Sequence, residues 1–109
     1  MRAYKIHPGV LSTPDVIRMA TMVREAVGPD VRLMLDPNCG YGYRKALDVG
    51  RALDRNEFHW FEDPVPHYDL YTFKSLSEKL DVPLCISDQN PNQFFNAANM
   101  VKNQSSRLV

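Results

Sequence analysis

The chain alternates short apolar runs with longer stretches in which apolar residues return every three or four positions. The short runs are Ala3–Ile6, Val31–Leu35, Phe58–Phe61 and Val82–Ile86. Each is brief and bounded by Gly, Pro, Asn or Asp, so each reads as a buried strand. Between them, Val16, Ala20, Val23 and Val27 share one helical face. Ala46, Val49, Gly50 and Leu53 share a second, and Leu70, Phe73, Leu76 and Leu80 a third. Phe94, Ala97 and Val101 suggest a fourth. Thr13-Pro14-Asp15 is expected to open the first helix with a hydroxyl cap, a first-turn proline and an acid at the positive helix end. Gly28-Pro29 is expected to stop it, and Arg107–Val109 reads as the start of a fifth strand. The order βαβαβαβα with a trailing strand predicts an α/β fold, a parallel sheet joined by right-handed crossovers. A chain that begins and ends on strands is expected to be an arc of a larger structure.

Acids close three of these strands, at Asp36, Glu62 and Asp88, an equal step of 26 residues. In a parallel sheet all strands end on the same edge, with neighbours about 5 Å apart. Three carboxylates there repel one another unless a cation sits among them. Hard oxygen donors favour Mg²⁺ over zinc, and this edge is where (β/α)₈ barrels carry their active sites. Acids after strands also cap the helices that follow. Three in step, with prolines close behind Asp36 and Glu62, favour the metal site.

Several motifs then combine: Leu35-Asp36-Pro37-Asn38, Ala46-Leu47, Gly50-Arg51-Ala52-Leu53 and, most specific, Trp60-Phe61-Glu62-Asp63-Pro64-Val65-Pro66. With the opening Tyr4-Lys5-Ile6-His7-Pro8 and the stretch Val23–Asp30, the chain resembles the enolase superfamily, specifically the mandelate racemase and muconate lactonising group. The resemblance implies a TIM-type (β/α)₇β barrel, of which residues 1–109 are about half. It implies Mg²⁺ held by Asp36, Glu62 and Asp88. The last stands in Ser87-Asp88-Gln89, where the family usually has Glu after glycines, and is shorter by a methylene. In this family the metal holds a substrate carboxylate while a base removes the α-proton. Lys5-Ile6-His7 occupies the region of the family's Lys-x-Lys motif. Residues i and i+2 face the same side of a strand, so Lys5 and His7 are the candidate catalytic residues. Asn38 either lines the pocket or holds the Pro37–Gly40 turn. Asp63 is a candidate to orient Glu62 or a neighbouring base. His59 reads as structural at a strand entry, His67 as a loop residue, Trp60 as core, and Cys39 and Cys85 as small thiols too soft for Mg²⁺.

The implied activity is that of an acid-sugar dehydratase acting through an enolate, with a racemase or epimerase as the alternative. The expected partner is a small carboxylate, a sugar or hydroxy acid. The family's capping domain and later barrel strands have no counterpart in the chain. A barrel of this kind takes about 250 residues, so the 109-residue chain alone is expected to be poorly active and to self-associate through open edges. Two rival readings are an inactive truncated half-barrel and a doubly wound receiver-like domain. Receivers carry an acidic pair after the first strand, where this chain has Lys5-Ile6-His7.

Composition narrows the remaining classes. At 109 residues the chain is one domain or part of one. Its 13 basic and 13 acidic residues leave no net charge to attract nucleic acid or an anionic membrane. No apolar run reaches the ~20 residues of a membrane span, and the N-terminus lacks a secretory signal pattern. Two cysteines make no disulfide scaffold, and a reduced, cytoplasmic setting is expected.

Overall fold

A computed structural model describes residues 2–87. Four strands, β1 (Ala3–Ile6), β2 (Arg32–Leu35), β3 (Trp60–Glu62) and β4 (Leu84–Cys85), form one parallel sheet in sequential order. Helices α1 (Thr13–Val27), α2 (Tyr43–Arg55) and α3 (Leu70–Lys79) make the crossovers. The expected fourth helix and fifth strand, and Asp88, lie outside the described residues.

Side-chain parity sorts the sheet into two faces. Leu33, Leu35, Phe61 and Leu84 are fully buried and join one core with Val16 and Ala20 of α1, Ala46, Val49 and Leu53 of α2, and Phe73 and Leu76 of α3. Each such Leu or Phe contributes roughly 1.5–3 kcal/mol by leaving water. Lys5, Met34, Trp60, Glu62 and Cys85 have the opposite parity. The helices therefore cover one face, as in the wall of a barrel.

Helix α1 is capped by Ser12 rather than by Thr13. The Asp15 amide donates to Ser12 Oγ at 3.3 Å, so the cap stands three residues ahead of its donor and Thr13 becomes the first helical residue. Gly28 ends the helix at φ 81°, where a side chain would strain the backbone. Asp69 caps α3 by accepting from the Thr72 amide. Gly50 of α2 lies so close to the end of α3 that a Cβ there would stand 2.4 Å from Leu80 Cδ1.

Below the sheet, at the N-terminal ends of the strands, Arg24 gathers the chain. Its Nε donates to Asn56 O at 2.8 Å, its Nη1 to Gly28 O and Val31 O at 2.9 and 2.7 Å, and its Nη2 to Glu57 O at 3.1 Å. One guanidinium thus satisfies carbonyls from the end of α1, the start of β2 and the turn after α2.

The ladder sets the height of each strand end. Met34 pairs with Trp60 and Leu35 with Phe61, so Asp36 and Glu62 follow at the same level. On the next strand Glu62 pairs with Cys85, which precedes Asp88 by three residues. The ladder offset is thus 26 residues between β2 and β3 and 23 between β3 and β4.

Candidate metal centre

Three strand ends converge at the C-terminal edge. Lys5 Nζ, from β1, donates to Glu62 Oε2 at 3.0 Å and Oε1 at 3.3 Å, and stands 4.0 Å from Asp36 Oδ2. His7 Nδ1 lies 3.7 Å from the same Asp36 oxygen. Both carboxylates are buried, whereas the Lys5 side chain is 36% exposed and that of His7 64%. The shared parity of residues 5 and 7 turns both toward Asp36.

Local turns hold this geometry. Asp36 Oδ1 accepts from the Asn38 amide at 2.8 Å, an Asx turn that fixes the carboxylate. Asn38 and Cys39 follow in the left-handed region, at φ 54° and 64°. Gly40 completes the turn where a Cβ would lie 2.9 Å from Pro37 O. Asn38 both shapes this turn and, with His7, Gly9, Asp36 and Pro37, lines a cleft of about 330 Å³ at the mouth.

The electrostatics show an excess of negative charge. Burial pushes the Asp36 carboxyl above its ordinary range; the Asn38 amide pulls it back, and neighbouring Glu62 pushes it further up. The hydrogen bond to Glu62 raises Lys5 above the ordinary lysine range against the opposing effect of burial. One ammonium thus serves two buried acids. Asp36, Glu62 and Asp63 each bring a carboxylate oxygen to a common point, all within 4.8 Å of one another. An all-oxygen set with surplus negative charge fits a hard dication such as Mg²⁺.

Trp60 and Asp63 differ from their sequence expectation, and His67, in the loop where it was expected, is buried. Trp60 borders the carboxylates instead of filling the core. Its Nε1 donates to Glu62 Oε1 at 3.1 Å, because residue i+2 on a strand shares its face. His67 lies in the turn before α3, yet it is buried, with Nε2 2.6 Å from Asp63 Oδ1. Asp63, at φ 47°, turns its carboxylate to His67 and to the Ser87 amide at 2.9 Å, rather than to Glu62 or a base. It thereby ties the loop after β3 to the end of β4. The spacing of Asp63 and His67 across Pro64-Val65-Pro66 was the available signal for this pair. Cys39 and Cys85 are free thiols, and burial pushes both up to about 11.

The family model described as enolase C-terminal domain-like matches residues 1–109. The chain belongs to this family. Among curated relatives, arabinonate dehydratase of Saccharolobus solfataricus is 32% identical over 83 residues, covering 76% of this chain and 22% of that protein. N-succinyl-L-Arg/Lys racemase of Bacillus cereus is 31% identical over 88 residues, covering 80% of this chain and 24% of that protein. Among solved structures, D-glucarate dehydratase of Agrobacterium tumefaciens, in a complex with magnesium, is 32% identical and superposes with a TM-score of 0.80. That match covers 89% of this chain and 25% of the dehydratase. The chain spans less than a quarter of the length of these two curated relatives. Its four-stranded sheet is part of an enolase-superfamily barrel. Among the described residues, no helix is long and apolar enough to cross a membrane.

Proposed function

We propose that the chain supplies the metal-binding arc of a Mg²⁺-dependent enzyme that removes the α-proton of a carboxylate substrate. An acid-sugar dehydratase fits best. The observation that carries this reading is the meeting of buried Asp36 and Glu62 around a single ammonium. Its support comes also from the dehydratases among its relatives.

Asp36 and Glu62 are the residues to hold the ion, with Asp88 as the third ligand. Bound there, Mg²⁺ supplies Lewis-acid stabilisation of negative charge on a substrate carboxylate. Trp60 fixes the Glu62 carboxylate through its indole N–H, and the Asn38 amide fixes Asp36. Lys5 and His7 stand at the rim on one side of the carboxylates, the position from which a proton is taken from or returned to substrate. His7, Asp36 and Asn38 line the cleft beside them. Asp63 holds the end of β4 through the Ser87 amide. We place the protein in the cytoplasm, where both thiols stay reduced.

Calorimetric Mg²⁺ titration of the chain tests the first step. Saturable binding that is lost in both Asp36→Ala and Glu62→Ala is expected; binding unaffected by either substitution refutes the centre. Incubating the enzyme with sugar acids in deuterated water tests the chemistry. Loss of water with α-proton exchange supports the dehydratase. Exchange with inversion and no loss of water supports the racemase, an alternative represented among the relatives. The 109-residue chain alone is expected to turn over poorly.

A further inference from the structure

A second cluster lies behind the carboxylates and has a different chemical character. Cys39, Asp63 and His67 each bring one potential ligand atom to a common point, all within 4.8 Å of one another. Asp63 and His67 are buried and Cys39 is half-buried. We propose that Cys39, Asp63 and His67 form a second metal site, one for a thiophilic divalent cation of the Zn²⁺ kind, adjoining the oxygen-lined centre through Asp63, which belongs to both clusters.

The donor set is the first argument. Sulfur, imidazole nitrogen and carboxylate oxygen are the three donors that zinc takes from proteins. Mg²⁺ has no use for the sulfur, so the two clusters are sorted by hardness. Geometry is the second. Donors on a tetrahedral zinc stand about 3.3–3.8 Å apart, given metal–ligand bonds of roughly 2.0–2.3 Å. Atoms already within 4.8 Å need to move by about an ångström. The Asp63–His67 contact of 2.6 Å is tighter than that, and it relaxes by less than 1 Å or by Asp63 presenting its other oxygen.

Preorganisation is the third. Asp63 is pinned by the Ser87 amide, and its own carbonyl accepts from the Cys39 amide at 2.7 Å. The thiol is therefore held against the loop that carries the other two donors. Ion uptake deprotonates Cys39 and releases that proton to solvent. The pocket then gains one net positive charge among Asp36, Glu62 and Asp63, an arrangement their field favours. In the absence of an ion, burial, helped by the carboxylates of Asp63 and Asp36, keeps the thiol protonated.

Co²⁺ is the probe, added to the full chain under reducing conditions with Mg²⁺ in excess to fill the oxygen-lined centre. The expected result is a near-ultraviolet sulfur-to-cobalt charge-transfer band with visible bands of a tetrahedral ion, bleached by added Zn²⁺. Cys39→Gly should abolish the charge-transfer band. Glycine suits φ 64°, so this variant keeps its circular-dichroism spectrum. Cys85→Ser should leave the band in place. His67→Asn, which retains the thiol, should weaken Co²⁺ binding about tenfold or more. The proposal fails if the wild-type chain shows no such band, if the band survives Cys39→Gly or disappears with Cys85→Ser, or if His67→Asn binds as tightly as wild type.

Discussion

Lys5 is both a neighbour and a competitor of the proposed ion, since its ammonium occupies the space between Asp36 and Glu62. Lys5→Met should leave two buried carboxylates without a counter-charge. Breaking a buried pair costs about 3–5 kcal/mol; with Lys5 one-third exposed, about 1–2 kcal/mol is the discounted expectation for the metal-free chain. Urea denaturation in chelator reads that loss, and added Mg²⁺ should stabilise the variant more than the wild type. Tyr41 gives the pH prediction. Its ring is buried edge-on against Phe61, its hydroxyl has no hydrogen-bond partner among the described residues, and burial pushes its pKa from 10.0 up to about 12. The folded state thus prefers the protonated phenol. Stability is whole below pH 10 and falls as pH rises toward 12, where the unfolded phenol ionises first, by about 2 kcal/mol. Tyr41→Phe should flatten that alkaline limb relative to wild type and cost nothing at neutral pH, because it removes an unsatisfied hydroxyl. The convergence of Lys5, His7, Asp36 and Glu62 was legible in the chain because strand parity and strand ends dictate it. Trp60 shares the parity of Glu62, so its place beside the carboxylate was open to the same reading. The turn of Asp63 toward His67 was not, because it depends on a left-handed loop residue that no periodicity reports.

Among the elements, α2 and α3 meet at Gly50. Alanine there gains up to about 1 kcal/mol of helix propensity, but its Cβ meets Leu80 at 2.4 Å. Overpacking should win, and Gly50→Ala should destabilise by about 1–2 kcal/mol in a thermal melt. The type and order of the elements through β4 followed from the apolar pattern alone. Their edges did not. The strand within the run Phe58–Phe61 starts only at Trp60: the Phe58 amide turns back to Leu53 O of α2, and the first bond to β2 is the His59 amide on Leu33 O. The run at Val82 likewise begins outside the sheet, where the Val82 amide donates to Asp54 Oδ1 at 2.7 Å. A run of apolar residues marks what must be buried, and hydrogen bonds decide where pairing starts. The change of offset between β3 and β4 belongs to the same class of fact.

At the scale of the molecule, four strands in sequential order leave β1 as an edge strand among the described residues. We expect the 109-residue chain to associate with itself. Light scattering across a concentration series should show mass rising above the 12.5 kDa monomer, whereas a constant monomer mass would contradict it. The parallel architecture was visible from the βα alternation, because crossovers of helical length impose it. The clamp at the opposite end was not, because Arg24 sits in a helical pattern like any surface arginine. Its four carbonyl partners come from two separate turns, and no neutral side chain can supply that many donors in one plane. Grafting exercises follow from this division of labour. Insertions or exchanged segments between β1 and α1, β2 and α2, or β3 and α3 change what the edge recognises while the clamp keeps the strands aligned. The turns at Gly28–Val31 and Asn56–Glu57, by contrast, accept no such rewriting, since lengthening either one withdraws a carbonyl from Arg24.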